Sequence, residues 1–298
     1  MIAKAKITVV IVTYNGSKWL YKLLQTVIDS SIDLHIIVID NASTDNSVAI
    51  IEKFSEVHLI KSAINLGFGK ANNLGIKLAL EQQSDFVFLL NQDTWVFKQS
   101  IENLVQAAQQ YPEIGVLSPM HLSCNEINLD TNFETYYKRS YHAIDNKVVE
   151  VPFVNAAAWL VSAKCLQKVG FFEPLFNHYG EDRNFCDRVL YHKFKIGILK
   201  SASIVHDRII SKNFNKMVLQ SEYTVLNSLL NINTSLLKST TMALKNVFGL
   251  PKFFYKEYKV TQITRLCSRL LVFFVKTILH YNEIKNIRMQ SKKGTNGL

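Results

Sequence analysis

Short β-branched or apolar runs alternate with longer stretches of helical spacing over the first ninety or so residues of this chain. Ile7-Thr8-Val9-Val10-Ile11-Val12, His35-Ile36-Ile37-Val38-Ile39, Val57-His58-Leu59-Ile60 and Phe86-Val87-Phe88-Leu89-Leu90 have the length and apolarity of buried strands. Between them lie apolar positions at Leu20, Leu23, Leu24, Val27 and Ile28, a helical segment over Val48 to Phe54, and another from Lys70 to Glu81. Ser17 is placed to cap the first of these helices and Asp45 or Ser43 the second. A β-α-β-α-β-α-β order leaves few folds open. Strands joined through helices run parallel, with right-handed crossovers. The expected class is α/β, a Rossmann-like, mostly parallel sheet flanked by helices.

The pattern continues more loosely. A helix is expected over Gln99 to Gln110, a strand at Gly115-Val116-Leu117-Ser118, and a β-hairpin in the polar stretch 121–150. Residues 151–161 are apolar again. A short helix from Lys164 to Val169, a turn at Gly170-Phe171-Phe172-Glu173 and a helix over Glu181 to His192 follow. Lys195 to Leu199 reads as a strand, and Ile204-Val205-His206 as a separate short one. From about Phe214 the chain is helical and amphipathic.

Parallel sheets collect their ligands outside the carboxyl ends of the strands. In this sequence those ends are polar: Thr13-Tyr14-Asn15 after the first strand, Asp40 after the second, Asn91-Gln92-Asp93 after the fourth. A lone Asp there is more often a turn or cap residue, but several at one edge favour a nucleotide site. A carboxylate so placed can hold a hard divalent cation, and the cation a diphosphate. Gly67-x-Gly69 opens a helix whose free amides suit a phosphate, though it lacks the last glycine of the dinucleotide fingerprint. Gly180-Glu181-Asp182 starts a helix. Acidic residues there either answer the helix dipole or supply a general base to a cleft. His206, at a strand end, is structural unless it faces Asp93, where imidazole suits a transition-type cation.

Together these residues resemble the family 2 glycosyltransferases of GT-A fold, over roughly residues 6–210. The likeness runs through Val12-Thr13-Tyr14-Asn15, Ile39-Asp40-Asn41-Ala42-Ser43-Thr44-Asp45, and Asn65-Leu66-Gly67-Phe68-Gly69 with Lys70-Ala71-Asn72-Asn73-Leu74-Gly75. It continues in Leu89-Leu90-Asn91-Gln92-Asp93, Gly170-Phe171-Phe172-Glu173 and Gly180-Glu181-Asp182. It is most similar to bacterial rhamnosyltransferase-type members. The resemblance implies a catalytic region 1–212, with a nucleotide-sugar half to about 118 and an acceptor half from 119. It implies that Thr13, Tyr14, Asn15 and Asp40 meet the nucleotide, Asp40 through the pyrimidine ring, and that Asn65, Gly67 and Asn73 lie near it. Asn91-Gln92-Asp93 stands for the Asp-x-Asp motif. Asp93 and His206 would hold Mg²⁺ or Mn²⁺, Asp182 would be the base, and Glu181 would orient the acceptor. Asn91 departs from the motif, since a neutral amide is a poorer cation ligand than a carboxylate.

The implied activity is inverting transfer of a sugar from a nucleoside diphosphate, first dTDP-rhamnose and alternatively a UDP-hexose or UDP-N-acetylhexosamine. The acceptor would be a glycan or lipid-linked hydroxyl in surface polysaccharide synthesis, as for an O-antigen. A nucleotidyltransferase would need a basic Gly-rich first loop, which Thr13-Tyr14-Asn15-Gly16 does not resemble. A silent partner subunit would lack Asp182 or Asp93.

Charge divides the chain. From Lys238 to Leu298 there are 12 Lys+Arg against 2 Asp+Glu, so this segment holds the whole net charge of +10. Such asymmetry points to a polyanionic surface. Aromatic residues of the tail sit among apolar neighbours rather than in a stacking array, which argues against nucleic acid. The tail, 213–298, is therefore read as a helical appendage. Its stripe Leu266, Leu270, Phe273, Phe274 and Ile278 either packs on the catalytic region or lies on anionic lipid. Cys124, Cys165, Cys186 and Cys267 form no Cys-x-x-Cys site. No cleavable leader is read at the N-terminus, and no run reaches the ~18 apolar residues of a membrane span. The expectation is a cytoplasmic protein, peripheral on the inner face of the cell membrane, with a homo-oligomer left open.

Overall fold

The computed structural model describes residues 5–138, 142–208 and 212–294. The first four residues, where the leader was sought, and the last four of the tail lie outside the described residues. In chain order the elements are β1 (Ile7–Thr13), α1 (Ser17–Ile28), β2 (His35–Asp40), α2 (Ser47–Ile51), β3 (Val57–Lys61), α3 (Phe68–Glu81) and β4 (Phe86–Asn91). Next come β5 (Thr94–Val96), α4 (Ser100–Gln110), β6 (Ile114–Leu122), α5 (Thr131–Tyr137), β7 (His142–Ala143), β8 (Val148–Glu150), β9 (Ala158–Ser162) and α6 (Ala163–Val169). Then follow α7 (Glu181–Tyr191), β10 (Lys195–His206), α8 (Phe214–Leu230), α9 (Leu236–Phe254), α10 (Val260–Leu279) and α11 (Tyr281–Lys293).

The strands form one sheet in the order β3-β2-β1-β4-β9-β6-β10-β8-β7, with β5 paired to β10. The first four are parallel, as the alternating pattern requires. The rest is mixed. β9 runs antiparallel to both β4 and β6, and β10 is parallel to β6. Side chains alternate across the sheet. Val9 and Ile11 share a core with Leu20, Leu23 and Leu24 of α1 and Leu104 of α4, while Val10 faces Ile76 and Ala79 of α3. Helices on both sides explain why β1 reads as a continuous apolar run.

Several expectations are corrected. α1 starts at Ser17 and α2 at Ser47, so Ser17, Ser43 and Asp45 are not their cap residues. Asp45 serves both starts from the side: its carboxylate accepts from Ser17 N (3.1 Å) and Ser47 N (2.9 Å). Residues 121–150 hold the helix α5 as well as the β7–β8 hairpin. The two short strands read at 195–199 and 204–206 are one strand, β10, with a register shift between Leu199 and Ser203.

The tail is packed on the rest. Leu266 and Leu270 are buried, and Phe273, Phe274 and Ile278 pack with them, in a third core shared with Phe176 and with Tyr223 of α8. The stripe therefore faces inward. The buried guanidinium of Arg288 donates to the carbonyls of Leu229, Asn231 and Thr234, fixing the α8–α9 turn from α11. Among the described residues no helix is long and apolar enough to cross a membrane.

Gly75 sets how closely α3 lies on β1. A Cβ there would stand 2.3 Å from Val10 Cγ1. Overpacking of this kind costs ~1–3 kcal/mol, against the roughly 0.5–1 kcal/mol that alanine adds to helix stability. Gly75→Ala is expected to lower the urea midpoint with an unchanged m-value. Wild-type stability would mean that α3 moves freely away from β1.

Candidate active site

Register brings the polar strand ends to one edge. Thr13 pairs with Asp40 across β1–β2, and Val12 with Asn91 across β1–β4. Asp40 is only 3% exposed. One carboxylate oxygen accepts from Ser43 N (3.2 Å), and the other is buried with no hydrogen-bond partner. An unsatisfied buried acceptor costs ~1–3 kcal/mol, so Asp40 is ready for a donor from outside, such as a ring N–H. Tyr14, next in the chain after Thr13, is exposed. Asn15 adopts φ 51° and splints the neighbouring loop, with Oδ1 accepting from Thr44 N (2.8 Å) and its own N–H bonded to Ser43 Oγ (2.9 Å).

Other residues expected to touch the nucleotide spend their polar groups on the protein. Gln92 Oε1 accepts from Thr13 Oγ1 and from Tyr14 N, both at 2.8 Å, and Gln92 Nε2 donates to Tyr14 O (3.3 Å). Thr13 and Gln92 thus bolt the end of β1 to the end of β4. Asn73 gives both ends of its amide to the Phe172 backbone, so it clasps α3 to the Gly170–Glu173 turn. Asn65 Oδ1 accepts from Gly67 N (2.9 Å) and from Asn41 Nδ2 (3.0 Å), while Asn41 Oδ1 takes Leu66 N (2.7 Å). Asn41, to which the sequence assigns no role of its own, shapes this loop. Gly67, at φ +80°, lies so near Asn177 that a Cβ would stand 2.0 Å from its carbonyl oxygen. The loop at 65–67 is thereby sealed against the one leading to Glu181.

β5 joins Asp93 to His206. His206 pairs with Thr94 across the β10–β5 ladder, and Asp207 N donates to Asp93 O (2.8 Å). His206 Nε2 consequently lies 3.4 Å from Asp93 Oδ1. The ring is 3% exposed, its Nδ1 has no hydrogen-bond partner, and the buried Asp130 carboxylate stands 4.0 Å behind it. Arg208 Nε is 3.8 Å from the same carboxylate. Asp130 escaped sequence reading because it lies in the weakly patterned stretch before α5. A hard oxygen and an imidazole, the latter backed by a carboxylate, fit Mg²⁺ or Mn²⁺. Among the described residues no three His, Cys, Asp or Glu side chains group into a metal cage.

Glu181 and Asp182 begin α7 after Gly180, whose φ is +88°. Asn227 Nδ2 of α8 donates to Gly180 O (2.9 Å), and Tyr223 Oη accepts from Asn177 N (3.2 Å), so the tail fixes this loop. The segment before β9 runs between the strand ends and the acidic pair. Ala157 O accepts from Asn91 N (2.9 Å), the Ala156 peptide favours the ionised Asp182 carboxyl, and Arg183 N donates to Asp182 Oδ1 (2.7 Å). Asp182 is partly buried, and loss of hydration raises its carboxyl above the ordinary range. Glu181 is 4% exposed and has one oxygen without a partner. Burial, with the Asp182 charge added, pushes Glu181 up to about 8.

Comparison with known proteins shows the family and the fold. The sequence model of Glycosyl transferase family 2 matches residues 8–170. An N-acetylglucosaminyl-diphospho-decaprenol L-rhamnosyltransferase of Mycobacterium tuberculosis is 23% identical over 233 residues, covering 67% of this chain and 75% of that protein. The structure of S. aureus TarS 1–349 in complex with UDP-GlcNAc aligns with TM-score 0.65 at 15% identity, over 97% of this chain and 92% of that one. Mannosyltransferase PcManGT from Pyrobaculum calidifontis, in complex with GDP-Man and Mn²⁺, aligns with TM-score 0.62 at 13% identity, over 97% and 86%. The expected GT-A fold is the one these structures share with the chain.

The Glu181 shift has a sign that can be tested. Between its ordinary 4.5 and about 8, the unfolded chain has lost this proton while the folded chain keeps it. Stability therefore falls as pH rises through that window. Glu181→Gln removes the effect, so its thermal midpoint is expected to exceed that of the wild type by more at pH 8 than at pH 5. A constant difference between the two pH values would mean that Glu181 ionises normally.

Proposed function

Because the chain belongs to glycosyl transferase family 2, we propose that it moves a sugar from a nucleoside diphosphate, first of all dTDP-rhamnose, to a glycan or lipid-linked hydroxyl in surface polysaccharide synthesis. The observation that carries this reading is the segment at 156–157. Ala157 O accepts from Asn91 N at the end of β4, and the neighbouring Ala156 peptide favours the ionised Asp182 carboxyl, which supports a base near the diphosphate end of the sheet. The similarity to a rhamnosyltransferase whose named acceptor is a diphospho-decaprenol supports both the donor and the acceptor class. A UDP-hexose or UDP-N-acetylhexosamine donor is the second reading, favoured by the likeness to a fold that binds UDP-GlcNAc. Residues up to about 118 serve the donor and 119–212 the acceptor. The protein works in the cytoplasm, at the inner face of the membrane.

In this reading the free oxygen of Asp40 accepts a ring N–H of the base and Tyr14 covers the base. Asn15, Asn65 and Gly67 shape the loops around the nucleotide, with Thr13, Gln92 and Asn73 holding those loops in place. Asp93 and His206 hold Mg²⁺ or Mn²⁺, and Asn91 contributes at most a neutral oxygen. Such a cation, when bound, neutralises charge on the departing diphosphate. Asp182 takes the proton of the acceptor hydroxyl as that oxygen bonds to the anomeric carbon. The bond from that carbon to the diphosphate oxygen breaks, and its electron pair leaves with the nucleoside diphosphate. Attack opposite the leaving group inverts the anomeric centre. Glu181, largely protonated at neutral pH, offers the acceptor a hydrogen-bond donor.

Asp182→Asn is expected to cut kcat by at least ~10²-fold, within the usual yield of a general base, with donor affinity kept. Near-normal turnover would remove Asp182 from the role. Because the Asp182 carboxyl is raised, the wild-type kcat should fall on an acid limb lying above the ordinary carboxylate range. A thermal-shift screen of nucleotide sugars with and without Mn²⁺ names the donor, since a ligand stabilises by RT ln(1 + [L]/Kd). A UDP sugar shifting the midpoint more than dTDP-rhamnose would select the second reading.

A further inference from the structure

The inward turn of the α10 stripe leaves a different surface free. On α9 and its C-cap residue Tyr255, the residues Leu237, Leu244, Phe248 and Tyr255 recur at intervals of seven, four and seven, and so fall on one face. They are 80%, 41%, 57% and 58% exposed, and Phe253 nearby is 72% exposed. Lys238, Lys245 and Lys252, seven apart, run beside this row, and Lys256 and Lys259 continue it past the helix; all five are exposed. From Leu236 to Lys256 there is no Asp or Glu. Exposed rings and leucines beside an unbroken lysine row are the composition of a helix that lies in a lipid headgroup layer.

Like charge decides between two occupants. A second copy docked antiparallel across a two-fold axis would set the same lysine row against itself. An anionic bilayer meets both features at once, apolar side chains entering the acyl boundary and ammonium groups staying among the headgroups. Ring contacts lead from this face to the cleft. Phe253 meets Phe254 at 5.0 Å, Phe254 meets Tyr258 at 6.3 Å and Tyr258 meets Phe214 at 5.5 Å between centroids. Two residues on from Phe214, Lys216 Nζ lies 5.1 Å from the ring of Tyr179, two residues before Glu181.

We propose that the Leu237–Leu244–Phe248–Tyr255 face of α9, with its lysine row, is the surface by which the protein docks on an anionic membrane. The docked orientation brings the acceptor side of the cleft to the bilayer. Its purpose rests on the proposed lipid-linked acceptor, but the docking itself is separately measurable.

The test is flotation of the full-length protein with vesicles of phosphatidylcholine alone or mixed equally with phosphatidylglycerol. Wild type is expected to float only with the anionic vesicles, and less at high salt. Phe248→Glu and Leu244→Glu should lose flotation. Lys245→Gln and Lys252→Gln should each weaken it roughly fivefold. Met289→Glu, at a 50% exposed position on α11, should behave as wild type. Wild type that never floats, or equal losses for Phe248→Glu and Met289→Glu, overturns the proposal. So does a Phe248→Glu variant that floats normally but changes from dimer to monomer in sedimentation, because the face would then join two copies. Transfer to a water-soluble acceptor should survive Phe248→Glu. Flotation without any transfer activity would sink the proposed function and leave the docking surface standing.

Discussion

One antiparallel strand in a parallel neighbourhood organises the molecule. β9 lies between β4 and β6 and runs against both. Its N-terminal end therefore lies at the carboxyl edge of β4, where the ligand crevice of a parallel sheet opens. The segment leading into β9 must cross that edge, and its peptide groups need partners. Ala157 O meets Asn91 N, and the neighbouring Ala156 peptide favours the ionised Asp182 carboxyl. The crossing joins the other braces at the start of α7, Phe68 N to Asn177 O and Asn227 to Gly180 O.

The polar edge of the sheet was legible because its cause is local. Buried strands show as apolar runs, and their carboxyl ends show as abrupt changes to polar residues. Asp40, Asn91 and Asp93 were placed by that change alone. β5 was not legible. It has three residues, and its stability comes from a partner, β10, more than a hundred residues later in the chain. Yet β5 is what sets His206 beside Asp93. β10 itself was read as two strands because Lys200 and Ser201 interrupt the apolar run, where the structure absorbs them in a register shift.

Polarity at a site is easier to read than its direction. Thr13, Gln92 and Asn73 stand where ligand-binding residues should, and each is committed to a backbone or side-chain partner. Such groups hold the loops whose shape the ligand meets, and no spacing rule separates them from Asp40, whose second oxygen has no partner. The distinction lies in hydrogen bonds between residues about 80 to 100 positions apart. Asp130 makes the same point from the other side. It is unremarkable in sequence, but its burial behind His206 gives that ring a charged neighbour.

The tail shows how one amphipathic segment can have two separate faces. Periodicity found the Leu266–Leu270 stripe and left open whether protein or lipid covered it. A stripe that packs so well cannot also be the exposed one; the exposed apolar row of the tail lies on α9 instead. The same helices reach the chemistry. Asn227 and Tyr223 on α8 bond to Gly180 and Asn177, so the left-handed turn that aims Glu181 and Asp182 is braced from the tail. A seam at 212–213 therefore separates stretches of sequence by charge, while the hydrogen bonds that position the acidic pair run across it.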